Sequence, residues 1–312
     1  MSARARMAGA FAIVYVVWGV TFLALRITVA EIPPLATIAI RCAAGAAIIF
    51  AWLAWRGRIE RTSLAQWGAA GAAGLLLFLG AHSVLAWAEI RVPSSQAALL
   101  LTAIPAWLVV LEAARLRRMP SHRVLAGLAL GVAGVALLAS GGEGGGAVER
   151  VALVFSSLAW AAGSLFARHA ARPASVAQAT AMQLAAGAVI VTIASAATGE
   201  LGRWEVLETS ARAAGSLAFL VIGGTVAGFG AYTWLLTVAT PAAVGTYAFV
   251  NPLIAVALAW VVGDDVPSRG TAVSAALVLT AVLLMNRQLT LPAVRLPWRL
   301  PRATHPAPCQ GS

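Results

Sequence analysis

Apolar residues in this chain neither alternate nor mark out one face of a helix. They come in blocks of about 20 separated by short polar connections, the length needed to carry an α-helix through a roughly 30 Å hydrocarbon core. Ten blocks are distinguishable, at 7–27, 34–55, 66–88, 94–114, 122–141, 149–170, 175–197, 213–236, 241–263 and 271–286. The first is full length and nine others follow it, so it reads as a span and not as a cleaved signal. The pattern predicts an all-α integral membrane protein with ten transmembrane helices. A few polar residues interrupt the blocks, among them Arg41, His82 and the Asn251–Pro252 pair inside YAFVNPLIAV. Such residues are costly in hydrocarbon and are the first place to look for chemistry.

Composition agrees with the pattern. Of 312 residues, 61% are hydrophobic and 11% charged, with mean hydropathy +0.87, which excludes an ordinary soluble fold. The net charge of +11 could suggest nucleic acid, but its distribution points to topology. With the N-terminus placed inside, fifteen of the 22 basic residues fall on inner segments and six on outer ones; Arg41 lies within a helix. Nine of the eleven acidic residues fall outside, leaving Glu60 and Glu112 near the inner face. This positive-inside bias predicts an even number of spans in a plasma or inner membrane, with both termini cytoplasmic. Residues 287–312, rich in Pro and Arg, read as a disordered basic cytoplasmic tail lying on anionic headgroups. Cys42 within a span and Cys309 in the tail do not suggest a structural disulfide.

The chain repeats itself. RCAAGA at 41–46 lies over QLAAGA at 183–188, an offset of 142 that also superposes Trp18 on Trp160 and Arg26 on Arg168. A five-residue insertion changes the offset to 147, which superposes Trp87 on Trp234, Pro105 on Pro252 and Pro120–Ser121 on Pro267–Ser268. Two five-helix units follow, 1–141 and 142–286. Because five is odd, the second enters the membrane upside down. The loops agree, since Arg117–Arg118 before the first Pro-Ser become Asp264–Asp265 before the second. The fold class expected is therefore two inverted five-helix repeats around a central cavity, an arrangement used by transporters whose substrate sites lie near the midplane.

Trp18–Gly19 with Arg26, the Pro33–Pro34 entry to a helix carrying Arg41, Pro105, YAFVNP and the later GDDVPS resemble the EamA family of the drug/metabolite transporter superfamily. The resemblance covers about residues 7–286. It implies a ten-helix inner-membrane exporter of small metabolites, often amino acids, working by alternating access. Within the family the chain is similar to exporters of the aromatic amino acid type. One departure is clear: where the family has Gly-Glu before each Pro-x-[ST] turn, this chain has Arg117–Arg118 and Asp264–Asp265, and no role is carried over to that position.

Depth sorts the candidate substrate-binding residues. Trp52, Trp55, Trp67, Trp87, Trp234 and Trp260 lie near span ends and read as interfacial anchors. Trp18 and Trp160 sit halfway along their spans at equivalent positions, with Phe22 one turn beyond Trp18. They can wall an apolar pocket or simply pack helices. Arg41 can grip a carboxylate with its planar fork or pair with Glu31 or Glu89. His82 can titrate or pack. Asn251, with Tyr247 one turn earlier, can reach a substrate or satisfy a carbonyl freed by Pro252. Phe229 and Tyr232 extend the aromatic wall. Pro105 and Pro252 each free a carbonyl four residues earlier and read as paired hinges or static kinks.

No Asp or Glu lies near a helix centre, which favours facilitated export or exchange over tight ion coupling. Expected partners are a small-molecule substrate and the lipid bilayer, with no nucleic acid; the chain is expected to be a monomer or weak homodimer. No cofactor or metal is expected, since H-E-x-x-H and a Walker A loop are missing and the chain contains no lysine for a Schiff base. Alternatives are a multidrug, lipophilic-cation or nucleobase exporter, a channel or scramblase, and a polytopic enzyme. Saturable uptake with trans-stimulation separates a carrier from a channel.

Overall fold

The computed structural model describes residues 3–117, 119, 121–141, 145–239, 241–262 and 269–286. The predicted tail 287–312 lies outside them, as do Arg118, Pro120, Asp264–Asp265 and Pro267–Ser268. All regular structure among the described residues is helical. The helices are α1 (Ala3–Val29), α2 (Pro34–Trp55), α3 (Leu64–Ala88), α4 (Ser94–Leu116), α5 (His122–Gly141), α6 (Ala147–His169), α7 (Val176–Ala197) and α8 (Ala211–Val238), followed by the short α9 (Pro241–Val244), α10 (Tyr247–Val262) and α11 (Arg269–Asn286). Seven of these, α1–α4 and α6–α8, are long and apolar enough to cross a membrane; three further apolar stretches are shorter. The block at 241–263, expected as one span, is broken by a turn at Gly245–Thr246 into α9 and α10.

Local sequence sets the ends. Pro34 opens α2, where a missing N–H costs nothing. Ser63 and Gln66 form a capping box at the start of α3, and Ser175 and Ser210 cap α7 and α8. Gly57 after α2 and Gly199 after α7 take φ of 61° and 70°, conformations that favour glycine. These two glycines are 142 residues apart, and α2 and α7 are 22 residues each at the same offset. The outer surface is apolar too, with Val16, Ile48, Val189, Ile193 and Ile222 all exposed, as hydrocarbon would require and water would not.

Packing between the halves comes in matched pairs. Helix α1 packs on α8 and α10, and its counterpart α6 packs on α3 and α4. Helix α2 packs on α8, and α7 on α3; α2 also packs on α7, and α5 on α11. Individual bonds repeat as well. Arg26 Nη1 donates to Glu89 O, and Arg168 Nη1 donates to Leu236 O at 2.5 Å, each tying the end of the first helix of a unit to the end of the third. Glu60, after α2, accepts from the N–H groups of Ala174 and Ser175 at the start of α7, while Glu200, after α7, accepts from Leu35 N–H at the start of α2. Carboxylates at helix N-termini are favourable for both hydrogen-bonding and dipole reasons. The exchange also means that α2 and α7 run antiparallel.

Close approach at these crossings depends on glycine. A Cβ on Gly187 would fall 2.3 Å from Phe78 Cδ2, and one on Gly45 would fall 2.7 Å from Thr225 Cγ2. Gly45 and Gly187 differ by 142, Phe78 and Thr225 by 147. Opposite each glycine, the third helix widens into a π-helical stretch, Leu75–Ser83 in α3 and Leu220–Phe229 in α8. Such stretches are rare and concentrate at functional sites. Side chains reach back five residues to their carbonyls: His82 Nδ1 to Leu77 O, Ser83 Oγ to Phe78 O and Thr225 Oγ1 to Leu220 O.

Candidate functional site

A cavity of about 70 Å³ opens between the halves. Trp18, Thr21, Phe22 and Leu25 of α1, Arg41 of α2, and Ala81, His82 and Leu85 of α3 form one side. Leu101 and Ile104 of α4, Ser156 and Trp160 of α6, and Tyr247, Ala248, Asn251 and Pro252 of α10 complete it. Most lie toward one end of the bundle, where the Arg26 bond to Glu89 O and the Arg91–Glu149 ion pair (2.7 Å) hold α1, α3, the α3–α4 turn and α6 together. A second cavity, of about 150 Å³, lies at the opposite end, between α6, α7 and α8. Arg168, His169 and Arg172 make it basic, and Thr180, Gln183, Thr233 and Thr237 make it polar. Gln183, the counterpart of Arg41, is buried there with an Oε1 that has no hydrogen-bond partner among the described residues.

Aromatic rings separate the two spaces. The Trp18 ring centroid lies 5.6 Å from that of Trp160, and 5.0 Å from those of both Tyr232 and Tyr247; Trp160 and Tyr232 are 5.3 Å apart. Edge-to-face and tilted geometries of this kind are the favourable ones. Tyr232 donates to Ser164 Oγ at 2.6 Å, and Tyr15 Oη and Thr246 Oγ1 share a 2.6 Å hydrogen bond between α1 and the turn before α10.

Trp18, Phe22, Arg41, His82, Trp160, Tyr247, Asn251 and Pro252 thus converge on the aromatic cavity from five helices. Three sequence candidates stand elsewhere. Phe229 lines a small adjoining space shared with Trp18, Arg41 and His82. Tyr232 is 1% exposed and stands behind the wall, its hydroxyl committed to Ser164. Pro105 is buried and follows a 3-10 turn at Leu101–Ala103, near the start of the helical segment Ile104–Leu116, whereas Pro252 lies inside its helix. Sequence reasoning missed Thr21, Ala81 and Ser156. Only the small-residue run in α6 hinted that Ser156, which donates to Ala81 O at 3.0 Å, faces inward.

Electrostatics set Arg41 apart. It is 6% exposed and donates weakly, Nε to Thr225 Oγ1 at 3.4 Å. Among the described residues no carboxylate lies within 4.0 Å of it. Glu31, one of its suggested partners, instead accepts from Ser210 N–H and Oγ, both at 2.7 Å. Those bonds hold the Glu31 carboxyl below the usual carboxylate range. With the amide turned to match its neighbours, the Asn251 nitrogen donates to Tyr15 O of α1 at 2.9 Å and to Tyr247 O, one turn earlier in α10, at 3.0 Å. It thus ties α10 to α1.

An all-helical bundle with a lipid-facing apolar surface, a repeated unit and a cavity between its halves defines a multi-pass membrane transporter. The chain belongs to the EamA-like transporter family, whose model matches residues 6–140 and again residues 150–287. It is therefore a transporter and not an enzyme. It is 30% identical over 283 residues to the uncharacterized inner membrane transporter YedA of Escherichia coli K12, covering 89% of this chain and 90% of that one. The YedA of Escherichia coli O157:H7 matches equally. A solved crystal structure shares the fold, with a TM-score of 0.66 over 91% of this chain and 96% of the other at 20% identity.

Proposed function

We propose that the protein exports small neutral or aromatic amino acids, or closely related compounds, by alternating access. The observation that carries this reading is Arg41, a buried guanidinium on the wall of an aromatic cavity with no carboxylate within 4.0 Å among the described residues, the buried Glu89 acting on it only from longer range. A cation at this depth without a direct ion pair is unfavourable unless something neutralises it. A substrate carboxylate would do so, in the fork geometry that arginine supplies. Trp18, Phe22, Trp160 and Tyr247 then hold the apolar side chain. A cationic substrate fits less well, because Arg41 repels it.

The matched packing pairs and the antiparallel run of α2 and α7 support ten spans in two inverted units, 1–141 and 142–286. With both termini cytoplasmic, the aromatic cavity faces outward and the basic one inward. Rocking of the halves about Pro105 and Pro252 then opens the inner route while closing the outer one, through the aromatic layer between them. Transport is downhill or by exchange, and the protein works in the inner membrane as a monomer or weak dimer.

The test is uptake of radiolabelled phenylalanine, leucine and threonine into proteoliposomes. Wild type should take up at least one saturably and with trans-stimulation. Arg41→Gln should abolish that uptake at unchanged folded yield. Linear, unsaturable flux, or full activity in Arg41→Gln, refutes the reading.

A further inference from the structure

Trp18 and Trp160 occupy equivalent positions, yet their indole nitrogens are treated differently. Trp18 Nε1 donates to Gly224 O at 3.0 Å, a carbonyl of the π-helical stretch in α8. The equivalent acceptor for Trp160 is Leu77 O, 147 residues earlier, in the π-helical stretch of α3. Trp160 makes no such bond. Its Nε1 is buried and has no hydrogen-bond partner among the described residues, while the residue lines the cavity. The hydroxyls of Tyr232 and Tyr247 lie close enough to couple to it, yet neither completes a well-aligned hydrogen bond with it, and Tyr247 Oη is itself buried without a well-aligned partner among the described residues.

Two sequence differences account for the broken symmetry. Gly228 lies under Trp18, and a Cβ there would sit 2.4 Å from Trp18 Nε1 and 2.7 Å from its Cδ1. The first unit carries Ala81 at that position, so a methyl group stands in the space that Trp160 would need to take the same seat. The next residue is Phe229 in the second unit but His82 in the first, and His82 Nδ1 already occupies Leu77 O at 2.9 Å. One position crowds the indole out, and the other takes its acceptor.

We propose that Trp160 Nε1–H is a substrate-binding donor which, with Tyr247 O–H and the charge of Arg41, receives a carboxylate, and that Ala81 and His82 are positioning residues that keep it free. The proposal rests on the amino-acid reading above. A buried N–H and O–H without partners are costly, and each is compensated by an acceptor that arrives with a ligand. Trp18, already satisfied by the backbone, is wall and scaffold. The two tryptophans that look alike in sequence therefore do different work.

The experiment uses the same three amino acids, with 2-phenylethanol as an uncharged competitor that keeps an aromatic ring but lacks the carboxylate. Trp160→Phe should raise KM about tenfold or more, as loss of a hydrogen bond to a charged group does, while inhibition by 2-phenylethanol changes far less. Trp18→Phe should lower thermal stability more than Trp160→Phe does, since the bond it loses lies within the protein. Ala81→Gly combined with His82→Phe should let Trp160 seat on Leu77 O. It should raise KM by a similar factor and add nothing in a Trp160→Phe background. Tyr247→Phe provides a second, milder variant and should also raise KM. An unmoved KM in Trp160→Phe, or additive effects of the Ala81/His82 pair on top of it, overturns this assignment alone. Absence of uptake of all three amino acids by wild type overturns the amino-acid reading and this assignment with it.

Discussion

Gly187→Ala tests the closest crossing between the halves. The added methyl would lie 2.3 Å from Phe78 Cδ2, 3.0 Å from its Cγ and 3.2 Å from its Cβ, whereas carbon atoms rest about 3.5–4.0 Å apart. The ring has little freedom to move away. Phe78 is 3% exposed and packs against Phe229 and His82 at 5.3 and 5.7 Å between centroids. Either α7 backs away from α3 or the ring leaves its rotamer, an overpacking cost of about 1–3 kcal/mol. Alanine's better helix propensity returns up to about 1 kcal/mol, leaving a net loss of up to about 2 kcal/mol. At about 2–4 °C per kcal/mol, the scale for chains of about 150–250 residues, the melting midpoint in detergent should fall by up to about 8 °C. Heating aliquots and measuring the surviving monodisperse peak by size-exclusion chromatography reads this directly. Gly71→Ala, in α3 with nothing near its added Cβ, should not fall, and Phe78→Leu should restore part of the loss in the Gly187→Ala background. A Gly187→Ala protein that melts at or above wild type would refute the close-approach account of this interface.

Two further outcomes follow from the loops and bundle ends. Arg168→Ala removes donors to Leu236 O (2.5 Å) and Ala239 O (2.8 Å); its melting point should fall by more than that of Arg172→Ala, an exposed neighbour, by the equivalent of about 1–3 kcal/mol. Glu31 is held below the ordinary carboxylate range by Ser210, so its contribution is present above the unfolded-state pKa and is lost as pH falls through the lower folded value. The melting points of wild type and Glu31→Gln should therefore differ at pH 7 and converge on acidification below about pH 4; a gap that widens in acid contradicts the assignment.

Much of the architecture was legible because hydrophobic blocks and a repeat are one-dimensional signals. The start of α2 at Pro34, the 142-residue spacing of α2 and α7 and the convergence of Trp18, Arg41 and Trp160 all follow from them. The π-helical stretches were not legible. They depend on i to i+5 bonds chosen by tertiary packing, and no period in the sequence marks them. Tyr232 and Phe229 were placed on the wall because depth gives distance along a helix but not which face turns inward. The break in the ninth block was hidden because Gly245 sits in an apolar run that reads equally well as continuous helix. The different settings of the two tryptophans escaped notice for another reason. A single methyl, Ala81 against Gly228, is invisible to any count of hydrophobic residues.

Duplicate fastenings at both ends have a consequence for energetics. In the alternating cycle proposed above, where the Arg26 and Arg168 bonds, the Glu60 and Glu200 clamps and the Gly45 and Gly187 crossings answer one another, they would contribute almost equally to either orientation of the halves and nearly cancel from the difference between them. The resting bias is then written in the few positions where the copies disagree: Arg41 against Gln183, Ala81 against Gly228, His82 against Phe229 and Ile104 against Asn251. Exchanging the members of one such couple across the chain should tilt that balance while leaving the sum of its parts unaltered.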